Sequence, residues 1–257
     1  MNPFFHHIIP TMKRIYNYTP FIALFVLILL TLPSVATAQM FSIQESQEER
    51  QQRLGAITVI GLSWEAADFE YSGDSQENFQ RLDFNDNLVR LRINSPGLDI
   101  SLGVGGSFTG MNDHSYLNVN GRIFNNINIV RRENFLLSLP IQLTTDLKRV
   151  RLNNLDNDFQ QSSLTFGSGI SSDLKLSDKF SFKVHATPNY GFSFSQGNFF
   201  GGNLFRFDGR TTLFVHDLFG SRSLAIGYDF DYRSYNIDGD LFDYDYTSHS
   251  ITLGIGF

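Results

Sequence analysis

The residues from His249 to Phe257 alternate strictly. Ile251, Leu253, Ile255 and Phe257 fall on one face, and Ser250, Thr252, Gly254 and Gly256 on the other. A period of two is that of a β-strand, here with one apolar face and one small, polar face. The same pattern recurs upstream. Val89, Leu91 and Ile93 alternate with Arg90 and Arg92, and the turn Asn94-Ser95-Pro96-Gly97 leads into Leu98, Ile100, Leu102 and Val104 opposite Asp99 and Ser101. Leu117, Val119 and Ile123 oppose Asn118, Asn120 and Arg122, while Leu137, Leu139, Ile141 and Leu143 oppose Gln142, Thr144 and Asp146. Leu164 to Leu174, Phe180 to Phe194, Phe205 to Val215 and Leu224 to Tyr232 continue the series. The first segment, about Ala56–Ala66, is the least regular, because Ile57 and Val59 interrupt the face of Ile60, Leu62 and Trp64. Ten strands are predicted, or eight if that segment and one neighbour do not pair.

The linkers sort by length. Those at 67–85, 109–114, 148–161, 195–203 and 236–243 are longer, and those at 94–97, 131–134, 175–178 and 217–222 are short. Long loops at one end and short turns at the other, with an even number of strands, predict an all-β, transmembrane, antiparallel up-and-down barrel over 55–257. A soluble sandwich has no reason to sort its loops by end. A terminal Phe on an edge strand invites aggregation, whereas a closed barrel pairs its last strand with its first and turns the apolar face to hydrocarbon.

On Ile251, Leu253, Ile255 and Phe257 the chain resembles bacterial outer-membrane β-barrels, among them the small OmpA-like and porin-like barrels. Their closing strand alternates in this way and finishes on Phe. The resemblance implies that these four residues form the signal read by the barrel-assembly machinery, which would be a partner during insertion. It departs from the usual pattern at His249, where an aromatic or aliphatic residue is more common.

Residues 1–38 read as a secretory leader, with Lys13 and Arg14, an apolar run from Phe21 to Leu32, and Ala36-Thr37-Ala38 before a cleavage point at Gln39. The run is short for a spanning helix. Met12, directly before Lys13, is the expected true start. Residues 39–54 are polar, rich in Gln and Glu, and read as a periplasmic extension.

Without residues 1–38 the chain has 18 basic and 26 acidic groups, a net charge of −8. That excludes a general nucleic-acid role. The chain has no cysteine, so no disulfide framework supports an exported fold. Hydrophobic residues make up only 42% of the chain, as expected when only alternate residues meet lipid. A single domain, a monomer in outer-membrane lipid, is expected, with no cofactor.

The second face holds Arg90, Arg92, Arg122, Lys183, Arg206, Arg210 and Arg233 with Asp99, Asp146, Asp173, Asp208, Asp229 and Asp231, and also His185 and His216. A charge on the lipid face costs about 2–4 kcal/mol at the midplane, so this face is assigned to the lumen. Two readings follow: a salt-bridge network that plugs the barrel, or a narrow polar path for a small solute. The first makes the protein a structural or adhesive component, and both make it non-enzymatic. The alternative is a surface hydrolase, since some outer-membrane barrels of similar size are proteases using Asp and His or lipid A deacylases using His and Ser. His249 and Ser250 lie on opposite faces of a strand and cannot pair as base and nucleophile. His185 and His216 read as structural. Asp238, Asp240, Asp243 and Asp245 lack the spacing of a calcium loop and read as a solvated acidic loop.

Overall fold

Each alternating segment finds a partner of matching phase, and the strands pair in chain order. The computed structural model describes residues 57–74, 82–153, 158–195, 198–219, 222–237 and 242–257. The expected leader 1–38, the extension 39–54, Asp238 and Asp240 lie outside the described residues. The strands are β1 (Val59–Tyr71), β2 (Phe84–Ser95), β3 (Leu98–Gly105), β4 (His114–Arg132), β5 (Phe135–Leu152) and β6 (Asp158–Ser168). They continue with β7 (Ile170–Lys175), β8 (Phe180–Ser195), β9 (Asn198–Phe219), β10 (Arg222–Ile237) and β11 (Tyr244–Gly256).

All pairings are antiparallel. β1 pairs with β11 along its whole length, from Val59 opposite Gly256 to Tyr71 opposite Tyr244, so the sheet closes. β6 and β7 share one place in the ring, both lying between β5 and β8. Between them sits Gly169, where an added Cβ would lie 2.0 Å from the Ala186 carbonyl oxygen. A residue with a side chain would push the two backbones apart there. The eleven segments therefore make a ten-stranded antiparallel barrel, not an eight-stranded one.

Followed from partner to partner once round the ring, the ladder leaves β1 at Val59 and returns to it at Tyr71, a stagger of 12 residues. With a rise of about 3.3 Å per residue and strands about 4.8 Å apart, this stagger tilts the strands by about 40°. The backbone radius is then about 10 Å, so long side chains from opposite walls meet on the axis. The tight turn Ser95–Leu98 closes one end of β2 and β3, with Gly97 at φ +84°, the left-handed conformation its position requires.

A belt of apolar side chains surrounds the barrel. Leu62 stands between Leu91 on β2 and Leu253 on β11, and the three are 57%, 48% and 58% exposed. So continuous a band outside a polar interior reverses the soluble arrangement and fits hydrocarbon. Replacing Leu62 with Arg is expected to cost about 2–4 kcal/mol in urea unfolding of the bilayer-embedded barrel. A cost near zero would mean that the belt does not contact lipid.

The strands run further toward the loop end than predicted. β1 reaches Tyr71 and β2 starts at Phe84, inside the expected loop 67–85. β5 continues through Lys148 to Leu152 and β6 begins at Asp158, inside the expected loop 148–161. β8 and β9 likewise extend into 195–203. Beyond the belt the alternation persists with its polarity reversed. Asp68, Glu70, Arg149 and Arg151 point outward, while Ala67, Phe69, Val150 and Phe159 are buried inside. Walls that stand in water carry polar residues outside and enclose an apolar core, so a search for apolar positions on the outer face misses them.

Candidate functional site: the lumen

The interior is filled in three layers, each built from inward residues of several strands. The layer nearest the short turns centres on Asp99 of β3. Its carboxylate accepts hydrogen bonds from Arg92 of β2, Arg122 of β4 and Arg210 of β9, the first through Nε at 2.7 Å and the last at 3.2 Å. Asp229 of β10 accepts from Arg92 at 2.8 Å and also from Arg210, which closes the cluster across the barrel. His185 Nε2 lies 3.3 Å from Arg122 Nη1 and 3.0 Å from Thr187 Oγ1. Lys183 pairs with Asp173 at 3.5 Å.

The middle layer is a second network. Arg206 donates to Asp208 at 2.6 Å and to Asp231 at 2.9 Å, while Arg233 donates to Asp231 at 2.8 Å and to Asp146 at 2.7 Å. Asn189 donates to Asp208 at 2.9 Å, and Gln142 donates to Asn189 at 2.6 Å. Arg90 grips Glu65 with two bonds, at 2.7 and 2.9 Å. Charge-assisted, bidentate bonds of this kind are the strong class, and burial removes the screening that weakens surface pairs.

The layer toward the long loops is aromatic. Tyr246 donates to Glu65 at 2.5 Å, joining this layer to the one below. Phe69 stacks on Tyr244 with centroids 4.5 Å apart, and Phe159 packs against both at 5.1 and 4.8 Å. Phe84, Tyr116 and Tyr235 complete the cluster. Lys148 Nζ, fully buried, has no hydrogen-bond partner among the described residues and lies 3.3 Å from the Tyr246 ring centroid. Contact with an aromatic face offsets part of the cost of burying that cation, by about 2 kcal/mol for a desolvated pair. Above this layer, burial pushes the Asp83 carboxyl above its ordinary range, with Glu70 and Asp68 adding to the effect and the Tyr71 N–H it accepts opposing it.

All the predicted lumen residues lie on the inward face. The structure joins Arg92, Asp99, Arg122, His185, Arg210 and Asp229 in one layer, and Arg90, Asp146, Arg206, Asp208, Asp231 and Arg233 in the next. Asp173 and Lys183 pair beside the first. His216 stands apart near the turn end, where Nε2 lies 2.8 Å from Ser181 Oγ and Nδ1 lies 2.9 Å from Ser223 Oγ. His249 faces outward, its Nδ1 2.7 Å from the Tyr228 hydroxyl oxygen, while Ser250 is buried on the other face. Asp243 accepts the Ile237 N–H at 2.7 Å, and no cluster of metal-holding geometry occurs among the described residues.

Sequence reading missed Glu65, Lys148 and the aromatic layer. Trp64 on the outer face implies an inward Glu65 within the irregular segment 56–66, and Lys148 keeps the phase of Asp146 but falls at the start of the expected loop 148–161.

No family model and no curated protein sequence matches the chain. Among solved structures it is similar to the outer-membrane protease OmpT of Escherichia coli, at 9% identity, 79% of this chain, 96% of that chain and a TM-score of 0.40. LpxR from Salmonella typhimurium is similar at 10% identity, 77% of this chain, 99% of that chain and a TM-score of 0.39. The translocator domain of the autotransporter NalP from Neisseria meningitidis is similar at 10% identity, 88% of this chain, 96% of that chain and a TM-score of 0.35. Likeness at this level carries no argument about activity.

Proposed function

We propose that this chain is a closed, non-conducting and non-enzymatic barrel of the bacterial outer membrane, serving as a structural or adhesive component of the surface. The observation that carries the reading is the filled interior. Ion pairs link β2 to β10, β3 to β9 and β5 to β10 across the axis, and an aromatic layer lies above them. A solute path through the lumen would have to break both, so the narrow-pore reading is the weaker one. In planar bilayers the refolded protein is expected to give no conductance above the lipid baseline. Steady unitary currents from a correctly folded preparation would sink the proposal.

One observation favours a hydrolase, the 2.8 Å approach of Ser181 Oγ to His216 Nε2. The second ring nitrogen meets the Ser223 hydroxyl, so no hydrogen-bonded carboxylate orients the ring as a triad would. The pair also sits by the short turns, away from the end that carries the long loops. Both features weigh toward a structural role.

A further inference from the structure

The turn-end layer of the lumen is not neutral. Among the described residues Arg92, Arg122, Lys183 and Arg210 face Asp99, Asp173 and Asp229, one cation in excess. The middle layer shows no such excess, since Arg90, Arg206 and Arg233 meet Glu65, Asp146, Asp208 and Asp231. A cavity of about 60 Å³ opens among the turn-end groups, lined by Arg92, Arg122, Lys183, Arg210, Asp229 and Ser171. Among the described residues two donors of that lining are buried without a partner, Arg122 Nε and Ser171 Oγ, in residues only 5% and 2% exposed. Buried polar groups are seldom left unpaired.

We propose that this cavity binds one small tetrahedral oxyanion of the phosphate class. Its volume suits a single compact ion. Arg122 on β4, Ser171 on β7, Lys183 on β8 and Arg210 on β9 bring donors from separate walls, which a tetrahedral acceptor can satisfy together. Asp229 on β10 also lines the cavity, but Arg92 and Arg210 already hold its carboxylate. Lys183 holds Asp173 only at 3.5 Å, which leaves its ammonium free to turn toward a bound anion.

Calorimetric titration of the full refolded barrel with inorganic phosphate, with chloride keeping the ionic strength constant, tests the proposal. One saturable site is expected. Ser171→Ala and Arg122→Lys should each weaken it by about tenfold or more, because each removes a hydrogen bond to a charged group. Arg206→Lys, in the middle layer, should leave binding unchanged. Heat-modifiable migration on gels would establish that each variant is folded. Ser171→Ala removes only a hydroxyl, so it keeps the test open should Arg122→Lys fail to fold. Absence of a saturable site, exchange of phosphate for chloride without effect, or full binding by folded Ser171→Ala would overturn the proposal.

Discussion

Replacing Asp99 with Asn is expected to destabilise the barrel by about 3–5 kcal/mol, the cost of breaking a buried ion pair from one side. Asp99 is 2% exposed and accepts from three guanidiniums, those of Arg92, Arg122 and Arg210. Asn keeps the shape but removes the charge, leaving Arg92 and Arg210 to share Asp229, and Arg122 with no carboxylate partner among the described residues. Removing one cation as well should relieve the repulsion. The double variant Asp99→Asn/Arg122→Gln is therefore expected to recover part of the loss. The midpoint of urea unfolding in lipid vesicles reads both. A single variant within about 1 kcal/mol of the parent would show that the network is solvated and contributes little, as exposed pairs do. It would also remove the main support for a plugged lumen.

The second large effect is expected at the closing seam. Phe257→Asp should block insertion and leave the chain to aggregate or be degraded in the periplasm. The Phe257 N–H donates to Thr58 at 2.9 Å, and its carbonyl accepts from the Thr58 N–H at 3.2 Å. Both bonds belong to the backbone and survive the substitution. What is lost is the ring, 55% exposed on the outer face and 5.1 Å from the Arg222 guanidinium carbon. Burying such a ring in lipid contributes about 1.5–3 kcal/mol, too little to abolish folding by itself. A complete block would therefore point to recognition of Ile251, Leu253, Ile255 and Phe257 by the assembly machinery. A small drop in heat stability with normal membrane levels would assign the ring to interface packing and end the signal reading.

Much of the architecture was legible in the chain because alternation is local. Whether Leu253 and Thr252 point to opposite sides depends only on the pleat, so belt and lumen could be separated strand by strand. Loop lengths then ordered the two ends. Which lumen groups meet was not legible. Arg92 reaches Asp229 across 137 positions of sequence because the 12-residue stagger tilts every strand and brings particular heights together. Stagger accumulates around the ring, so no single strand encodes it. Nor was the upper layer visible. Phe69, Val150 and Phe159 are inward like Arg90 and Asp146, but there the surroundings change from lipid outside to water outside, and the same period of two carries the opposite polarity. The alternation by itself determined that each strand has two faces. Only closure of the barrel decided what each face touches, because a side chain's partners lie on strands that the stagger brings to its height.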